Sequence, residues 1–332
     1  MDLSQFDYEL PEELIAQQPS AARDGARMLV LDRTNQTWHD RMFRDLPSYL
    51  ERGDVLVFNN SRVFKSRLIG HRAGHTGRVE IFLAEQMEDG AWRALVHPGR
   101  KLPPGTVVEF APDFRAAIEE RLEHGERRVR LNAADVWQAI EAHGRTPLPP
   151  YIRRPANSAD AERYQTVFAR ERGSVAAPTA GLHFTDEILA HCDAAGAIRA
   201  EVTLHVGLGT FQPLHSKVVE ENELHFERFH VDALAAARIQ SAGRAIAVGT
   251  TAVRTIESFH RLGNAGQTNL FIYPGFEFRR VNAMLTNFHL PHSSLLVLVC
   301  AFAGHEFTMA AYSHAVAQRY RFFSYGDCML IL

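Results

Sequence analysis

Five short segments of this 332-residue chain concentrate glycine, threonine, asparagine and histidine. They are Phe58-Asn-Asn-Ser-Arg62, Ala177-Pro-Thr-Ala-Gly-Leu-His-Phe184, Leu204-His-Val-Gly-Leu-Gly-Thr-Phe211, Val248-Gly-Thr-Thr-Ala-Val-Arg254 and Tyr273-Pro-Gly-Phe276. Three histidines, His183, His205 and His289, fall in or near them. Histidine is the side chain best placed to exchange a proton near neutral pH. Gly207-Leu-Gly-Thr210 and Gly249-Thr-Thr251 can turn backbone N–H groups toward an anion, and Arg254 stands one helical turn beyond Thr250 and Thr251, within reach of the same anion. Neither loop is a dinucleotide or P-loop fingerprint, because Gln212 stands where the third glycine would be and no Gly-Lys-Ser/Thr follows. A carboxylate is therefore as good a guest as a phosphate. Phe184, Phe211, Phe276 and Phe288 could stack on a purine or face a cation.

Imidazole is also a zinc ligand, but no close His-x-His or His-Glu-x-x-His spacing occurs here. Cys192, Cys300 and Cys328 are too far apart for a zinc pair, a disulfide framework or a close-spaced iron–sulfur motif. The expectation is a site without metal. A metal-dependent hydrolase using the three histidines, and a non-catalytic nucleic-acid-binding protein, are the competing classes.

Most of these segments follow strand-like runs. Asp54–Phe58, Gly173–Ala176, Ile198–Val206, Ala245–Val248, Leu270–Tyr273 and the wholly apolar Leu295–Ala301 read as strands. Helices are expected from Asp186, after Gly249 through Glu257, and around Met309–Tyr320. Strands alternating with helices imply an α/β domain, expected to be barrel-like and mostly parallel. Its ligands would collect at the carboxyl ends of the strands. Between Arg62 and Pro149 the pattern changes to short strands broken by turns, with strand-like runs at Val79–Ala84, Trp92–Val96, Val107–Phe110, Phe114–Leu122 and Arg128–Leu131. A helix follows over 133–143, and then the extended linker Pro147-Leu-Pro-Pro-Tyr151. This reads as a small β-barrel domain, 63–148, inserted in a larger domain formed by 1–62 and 149–332.

The chain is 46% hydrophobic and 23% charged, ordinary for a folded globular protein, with a net charge of −3. Its longest apolar run, Leu295–Ala303, is far short of the roughly 20 residues that cross a bilayer. The first ten residues carry Asp2, Asp7 and Glu9 and lack a signal-peptide pattern. The expectation is a cytoplasmic monomer without a membrane role. Basic residues cluster at Arg62, Lys65 and Arg67, at Arg127, Arg128 and Arg130, at Arg153 and Arg154, and at Arg170 and Arg172.

The chain closely resembles the S-adenosylmethionine:tRNA ribosyltransferase-isomerase family of queuosine biosynthesis. The likeness runs nearly the whole length. It includes Phe6-Asp-Tyr-Glu-Leu-Pro-Glu-Glu-Leu-Ile15, Leu56-Val-Phe-Asn-Asn-Ser-Arg62, Pro147-Leu-Pro-Pro-Tyr-Ile152 and Glu162-Arg-Tyr-Gln-Thr-Val-Phe168. Further on it includes Val175 to Phe184, Val202 to Phe211, Ile246 to Arg254, Leu285-Thr-Asn-Phe-His-Leu-Pro291 and Tyr320-Arg-Phe-Phe-Ser-Tyr-Gly-Asp327. The departures are Phe64-Lys-Ser-Arg67, where the family commonly has Pro-Ala-Arg, a short 257–268 segment and an end at Leu332.

The resemblance implies an α/β domain with an inserted β-barrel. It also implies a tRNA partner carrying 7-aminomethyl-7-deazaguanine at the wobble position, with S-adenosylmethionine as a consumed co-substrate and no bound cofactor. The product would be epoxyqueuosine, with adenine and methionine released. The candidate catalytic residues are His183, His205 and His289. Candidate substrate contacts are Asn59, Asn60, Arg62, Thr179, Gly181, Phe184, Gly207, Gly209, Thr210, Thr250, Thr251, Arg254, Asn287 and Phe288. Lys65, Arg67, Arg153 and Arg154 are the candidates for gripping tRNA.

Overall fold

A computed structural model of the chain describes residues 1–207, 209 and 214–332. In chain order the strands are β1 (Arg27–Asp32), β2 (Thr37–Met42), β3 (Val55–Asn59) and β4 (Ser61–Val63), then β5 (Arg67–Arg72), β6 (Arg78–Gln86), β7 (Trp92–His97), β8 (Val107–Ala111), β9 (Phe114–Arg121) and β10 (Arg127–Asn132). They continue with β11 (Glu171–Ser174), β12 (Ile198–Leu204), β13 (Glu227–Val231), β14 (Ala245–Val248), β15 (Ala265–Thr268), β16 (Ala283–Asn287) and β17 (Cys328–Ile331). The α-helices are α1 (Val136–His143), α2 (Asp160–Arg163), α3 (Asp186–Ala194), α4 (Ala233–Ser241), α5 (Thr250–Leu262), α6 (Ser294–Ala303) and α7 (His305–Ala317).

Strands β15-β13-β12-β3-β14-β16-β17-β1-β2 form one open sheet in that order. Its middle is parallel, with β12, β3, β14 and β16 running together. Every residue of β3, β14 and β16 is buried, as an interior strand covered on both faces requires. Side chains alternate between two cores. Val57, Ala247 and Met284 pack on the face covered by α4 to α7, and Leu56, Phe58, Ile246 and Leu285 pack with α3 on the other.

The expected barrel-like, mostly parallel larger domain is therefore corrected. The sheet is open and mixed: β1 also runs parallel to β17, but β2, β13 and β15 pair antiparallel, and β17 opposes β16. Its edges explain why it does not close. Strand β2 is mostly exposed and β15 is a short Ala-Gly-Gln-Thr segment, so neither offers an apolar row to a further strand.

Three local expectations also change. Leu295–Ala301 is helical, inside α6, because Ser293 caps it by accepting from the Leu296 amide at 3.2 Å; a run buried all round reads alike as strand or helix. Leu270–Tyr273 is not a strand. The strand expected at 173–176 is β11, which pairs with β4 outside the main sheet.

The six strands β10-β7-β6-β5-β8-β9 close an antiparallel barrel, as expected for the small β unit. Leu68, Ile81, Leu83, Trp92, Val108, Phe114 and Val129 fill it, and Trp137 and Ile140 of α1 pack against that filling. No single described helix is long and apolar enough to cross a membrane.

Candidate active site

The parallel strands end on one edge at Asn59, Leu204, Val248 and Asn287, and β17 runs the other way, so the segment before it returns to the same edge. A cleft of about 410 Å³ opens there. Its floor comes from the β14–α5 turn. Gly249 takes φ +92°, a left-handed conformation that suits glycine, and lets the chain double directly into the helix. No side chain caps α5, so its first N–H groups are left for a guest. Thr250 is 6% exposed and Thr251 has a buried Oγ1 that finds no partner among the described residues; both residues line the cleft.

One wall is the segment after β16. The His289 ring bonds Thr286 Oγ1 through Nε2 at 2.8 Å. Its backbone is held on both sides, the carbonyl accepting from Tyr8 Oη and the amide donating to Tyr312 Oη. The opposite wall is aromatic. Tyr151, at the end of the proline linker, stacks on Phe323 with ring centroids 4.3 Å apart, and its hydroxyl meets Ser324 Oγ at 2.5 Å. Burial holds the Tyr151 phenol up at about 12.

Of the three candidate histidines, only His289 lines this cleft. Burial depresses its pKa to about 3, so the imidazole is neutral at pH 7. His183 is equally buried, with a pKa pushed down to about 4, and lies behind the wall. Its Nε2 donates to Asn287 Oδ1 at 3.0 Å, while Asn287 Nδ2 donates to the Phe323 carbonyl at 2.8 Å. His183 thus fixes the amide that fixes the aromatic wall. His205 sits elsewhere, in a crevice of about 40 Å³ shared with Glu85, Arg93 and Glu126 of the barrel strands and the turn before β10. Gly173 lies so close to its ring that a Cβ there would be 2.5 Å from Nδ1. Burial, then Arg228, lowers its pKa.

Thr179 and Phe288 line the cleft, Phe288 with its ring packed into the core against Tyr312, Tyr320 and Phe322. Asn287 lines it too, with its amide already committed. Gly181 and Phe184 are packing positions. A Cβ on Gly181 would meet Phe168 at 2.7 Å, and Phe184 is enclosed by Phe43 and Phe58. Asn59 and Asn60 tie strand ends together rather than lining the cleft. Asn59 Oδ1 accepts from the Ser61 and Leu204 amides, and Asn60 Oδ1 accepts from Thr203 Oγ1. Gly207 and Gly209 border the His205 crevice, while Thr210 and Phe211 lie outside the described residues. Phe276 packs against Phe278, away from the cleft.

Arg254 is the main departure from expectation. Its guanidinium is buried against Glu227, with Nη1 donating to Oε2 and Nε donating to the Leu270 carbonyl at 3.0 Å. Glu227 Oε1 in turn accepts from the Gly207 amide at 3.0 Å. This arginine holds the fold and is not turned to the cleft.

The tRNA-gripping candidates are also engaged. Lys65 pairs with Glu141, Arg67 with Glu80 and Arg153 with Glu12, all on the surface. Arg154 is a structural pair, bidentate to Asp160 at 2.6 and 2.8 Å, and the Asp160 carboxylate is 2% exposed. Among the described residues, no three His, Cys, Asp or Glu side chains are grouped to hold a metal ion. Thr286, Tyr151, Phe323 and Ser324 were not singled out from sequence. Each lies inside a string that carried the family resemblance, which was the available signal.

The sequence model of the family described as "Queuosine biosynthesis protein" matches residues 3–331. Proteins named S-adenosylmethionine:tRNA ribosyltransferase-isomerase are similar over the full length of both chains: one from Solibacter usitatus at 56% identity, one from Thermotoga petrophila at 49% and one from Aquifex aeolicus at 47%. The crystal structure of the S-adenosylmethionine tRNA ribosyltransferase from Thermotoga maritima aligns with a TM-score of 0.57 at 39% identity, covering 99% of this chain and 100% of that one. The open sheet, the closed six-stranded barrel and full-length similarity to enzymes of one name agree, and the chain belongs to the queuosine biosynthesis family of S-adenosylmethionine:tRNA ribosyltransferase-isomerases.

Proposed function

We propose that this enzyme transfers and isomerises the ribosyl moiety of S-adenosylmethionine onto 7-aminomethyl-7-deazaguanine at the tRNA wobble position, giving epoxyqueuosine and releasing adenine and methionine. The observation that carries the site assignment is the cleft at the carboxyl edge of the parallel strands. It combines an uncapped helix N-terminus, two threonines, of which Thr251 has an unpartnered hydroxyl, one neutral buried histidine and an aromatic wall. The methionine carboxylate suits the amino end of α5 with Thr250 and Thr251. Stacked Tyr151 and Phe323 suit adenine.

The sulfonium acidifies the adjacent C5′ protons, and removing one begins loss of adenine and rearrangement of the ribose. We assign acceptance of that proton to His289, because it lines the cleft. A carboxylate bound nearby would raise its pKa from the depressed value and strengthen it as a base. The aminomethyl nitrogen of the tRNA base attacks in its neutral form. His183 serves this site through Asn287, and His205 and Arg254 stand outside it.

In this reading 1–62 with 149–332 is the catalytic domain, 63–148 is the inserted barrel domain, and the enzyme works as a cytoplasmic monomer. S-adenosylmethionine is consumed, and no cofactor or metal takes part. The test is incubation with S-adenosylmethionine and substrate tRNA, following free adenine and methionine. Both are expected in equal amounts and only with both substrates present, and dialysis against a strong chelator is expected to leave the rate unchanged. Absence of adenine release would remove the reading, and zinc-restored turnover would revive a metal-dependent mechanism.

A further inference from the structure

The two-stranded ribbon β4–β11 carries charge that the fold does not use. Arg62 and Arg172 are register partners on its parallel strands, so their side chains leave one face side by side. Both are exposed, and neither makes an ion pair or side-chain hydrogen bond among the described residues. Neighbouring cations are neutralised: Lys65 by Glu141, Arg67 by Glu80, Arg170 by Glu201 and Arg154 by Asp160. Like charges directly across paired strands are destabilising, so an uncompensated arginine pair at this register costs the free protein stability unless something anionic joins it.

The ribbon is held firmly at the edge that bears the cleft. The Asn60 carbonyl accepts from the Arg170 amide at 2.8 Å and from the Glu171 amide at 3.2 Å. Ser174 Oγ accepts from the Val206 amide at 2.9 Å, and the Val175 amide donates to the Val206 carbonyl at 3.0 Å. Asn59 and Asn60 therefore act as anchors for this ribbon. Two residues past β11, Ala176 and Ala177 form part of the cleft lining, so Arg172 lies within about 14 Å of it along the chain. Arg62 leads directly toward the first barrel strand, β5.

We propose that Arg62 and Arg172 together clamp backbone phosphates of the tRNA arm whose wobble base enters the cleft. The proposal rests on the reading of tRNA as substrate. Paired guanidinium groups suit it, since each presents a planar fork to phosphate oxygens and stays charged at any working pH. The net charge of −3 is no obstacle, because the positive pair is local and near the site.

Binding of substrate tRNA is measured by fluorescence anisotropy across a salt series, independently of turnover, for the wild type and five variants. Arg62→Gln/Arg172→Gln is expected to weaken binding at least tenfold at low salt. It should also flatten the slope of log affinity against log salt by about 1.4, two phosphates at about 0.7 each for unpaired strands. Each single variant should give about half that change. Arg62→Lys/Arg172→Lys should keep the slope. Arg279→Gln, a charge-matched change just before β16 at the opposite sheet edge, should keep both affinity and slope. S-adenosylmethionine affinity by calorimetry is expected to be the same in all. A wild-type slope in the double glutamine variant would overturn the clamp. So would an equal loss in Arg279→Gln, which would mean that general charge and not this ribbon is sensed. Absence of adenine release by wild-type enzyme would strike the catalytic reading alone, since the binding slopes are read without turnover.

Discussion

The first and second turns of α5 are a few ångströms apart in sequence terms, yet their polar residues meet opposite fates. Thr250 and Thr251 line the cleft, and the Thr251 hydroxyl finds no partner among the described residues. Arg254, the more obvious anion ligand by chemistry, is turned away from the cleft, with Nη1 on Glu227 and Nε on the Leu270 carbonyl. The histidines divide by place: His289 faces the cleft, His183 is committed to Asn287 behind its wall, and His205 lies in a separate crevice beside the barrel. A polar side chain beside a strand end is therefore a candidate binding group only where the fold also brings it to the cleft. Residue type narrows the candidates, and placement at the cleft selects among them.

That contrast can be broken most directly at Arg254. Arg254→Ala leaves the Glu227 carboxylate buried without its cation and is expected to destabilise the protein by about 3–5 kcal/mol in urea unfolding. Arg254→Met/Glu227→Gln should recover part of the loss. Unchanged stability of Arg254→Ala together with weakened S-adenosylmethionine binding would return the arginine to the cleft.

The next largest effect is on pH. His183 and His289 have folded pKa values of about 4 and about 3, below the ordinary 6.5. The unfolded chain binds protons first as pH falls, so stability is complete above about pH 6.5 and is lost toward pH 4 and pH 3. Each histidine should cost about 2 kcal/mol between pH 7 and pH 5. His183→Gln should remove about half of the combined drop, and a flat wild-type profile would mean that these imidazoles are not held neutral by burial.

Arg154→Gln is expected to lower stability by about 2 kcal/mol, because Asp160 is buried and Arg154 only partly so. Full stability with weakened tRNA binding would reverse its assignment as a structural residue. Thr250→Val and Thr251→Val should each weaken S-adenosylmethionine binding five- to tenfold, about 1 kcal/mol for a lost hydrogen bond, with unfolding nearly unchanged. Calorimetric affinities equal to wild type in both would detach the ligand from α5. The smallest change is expected for Arg153→Gln, within about 0.5 kcal/mol in unfolding, since its Glu12 partner is 75% exposed.

Much of this architecture was legible in the residues themselves. The short apolar runs Val55–Phe58 and Ala245–Val248, each closed by a polar turn, read as interior strands, and Gly249 between strand and helix marked the turn that now floors the cleft. Five strand-like runs between the 62 and 147 positions announced the barrel, although β5, with Gly70 and His71 breaking its alternation, went unread. Strand or helix for Leu295–Ala301 was not decidable locally, because total burial erases the periodicity that separates the two. Sheet closure was equally hidden, since it depends on which strands become edges. The long strings around the loops established the chemistry to expect. Tertiary structure alone decided which polar groups carry it. Glu227 lies 27 residues from Arg254, and Asn287 lies 104 from His183. Sequence spacing does not show that such partners meet, and an acid or amide arriving from elsewhere in the fold is what turns a candidate ligand into a structural tie.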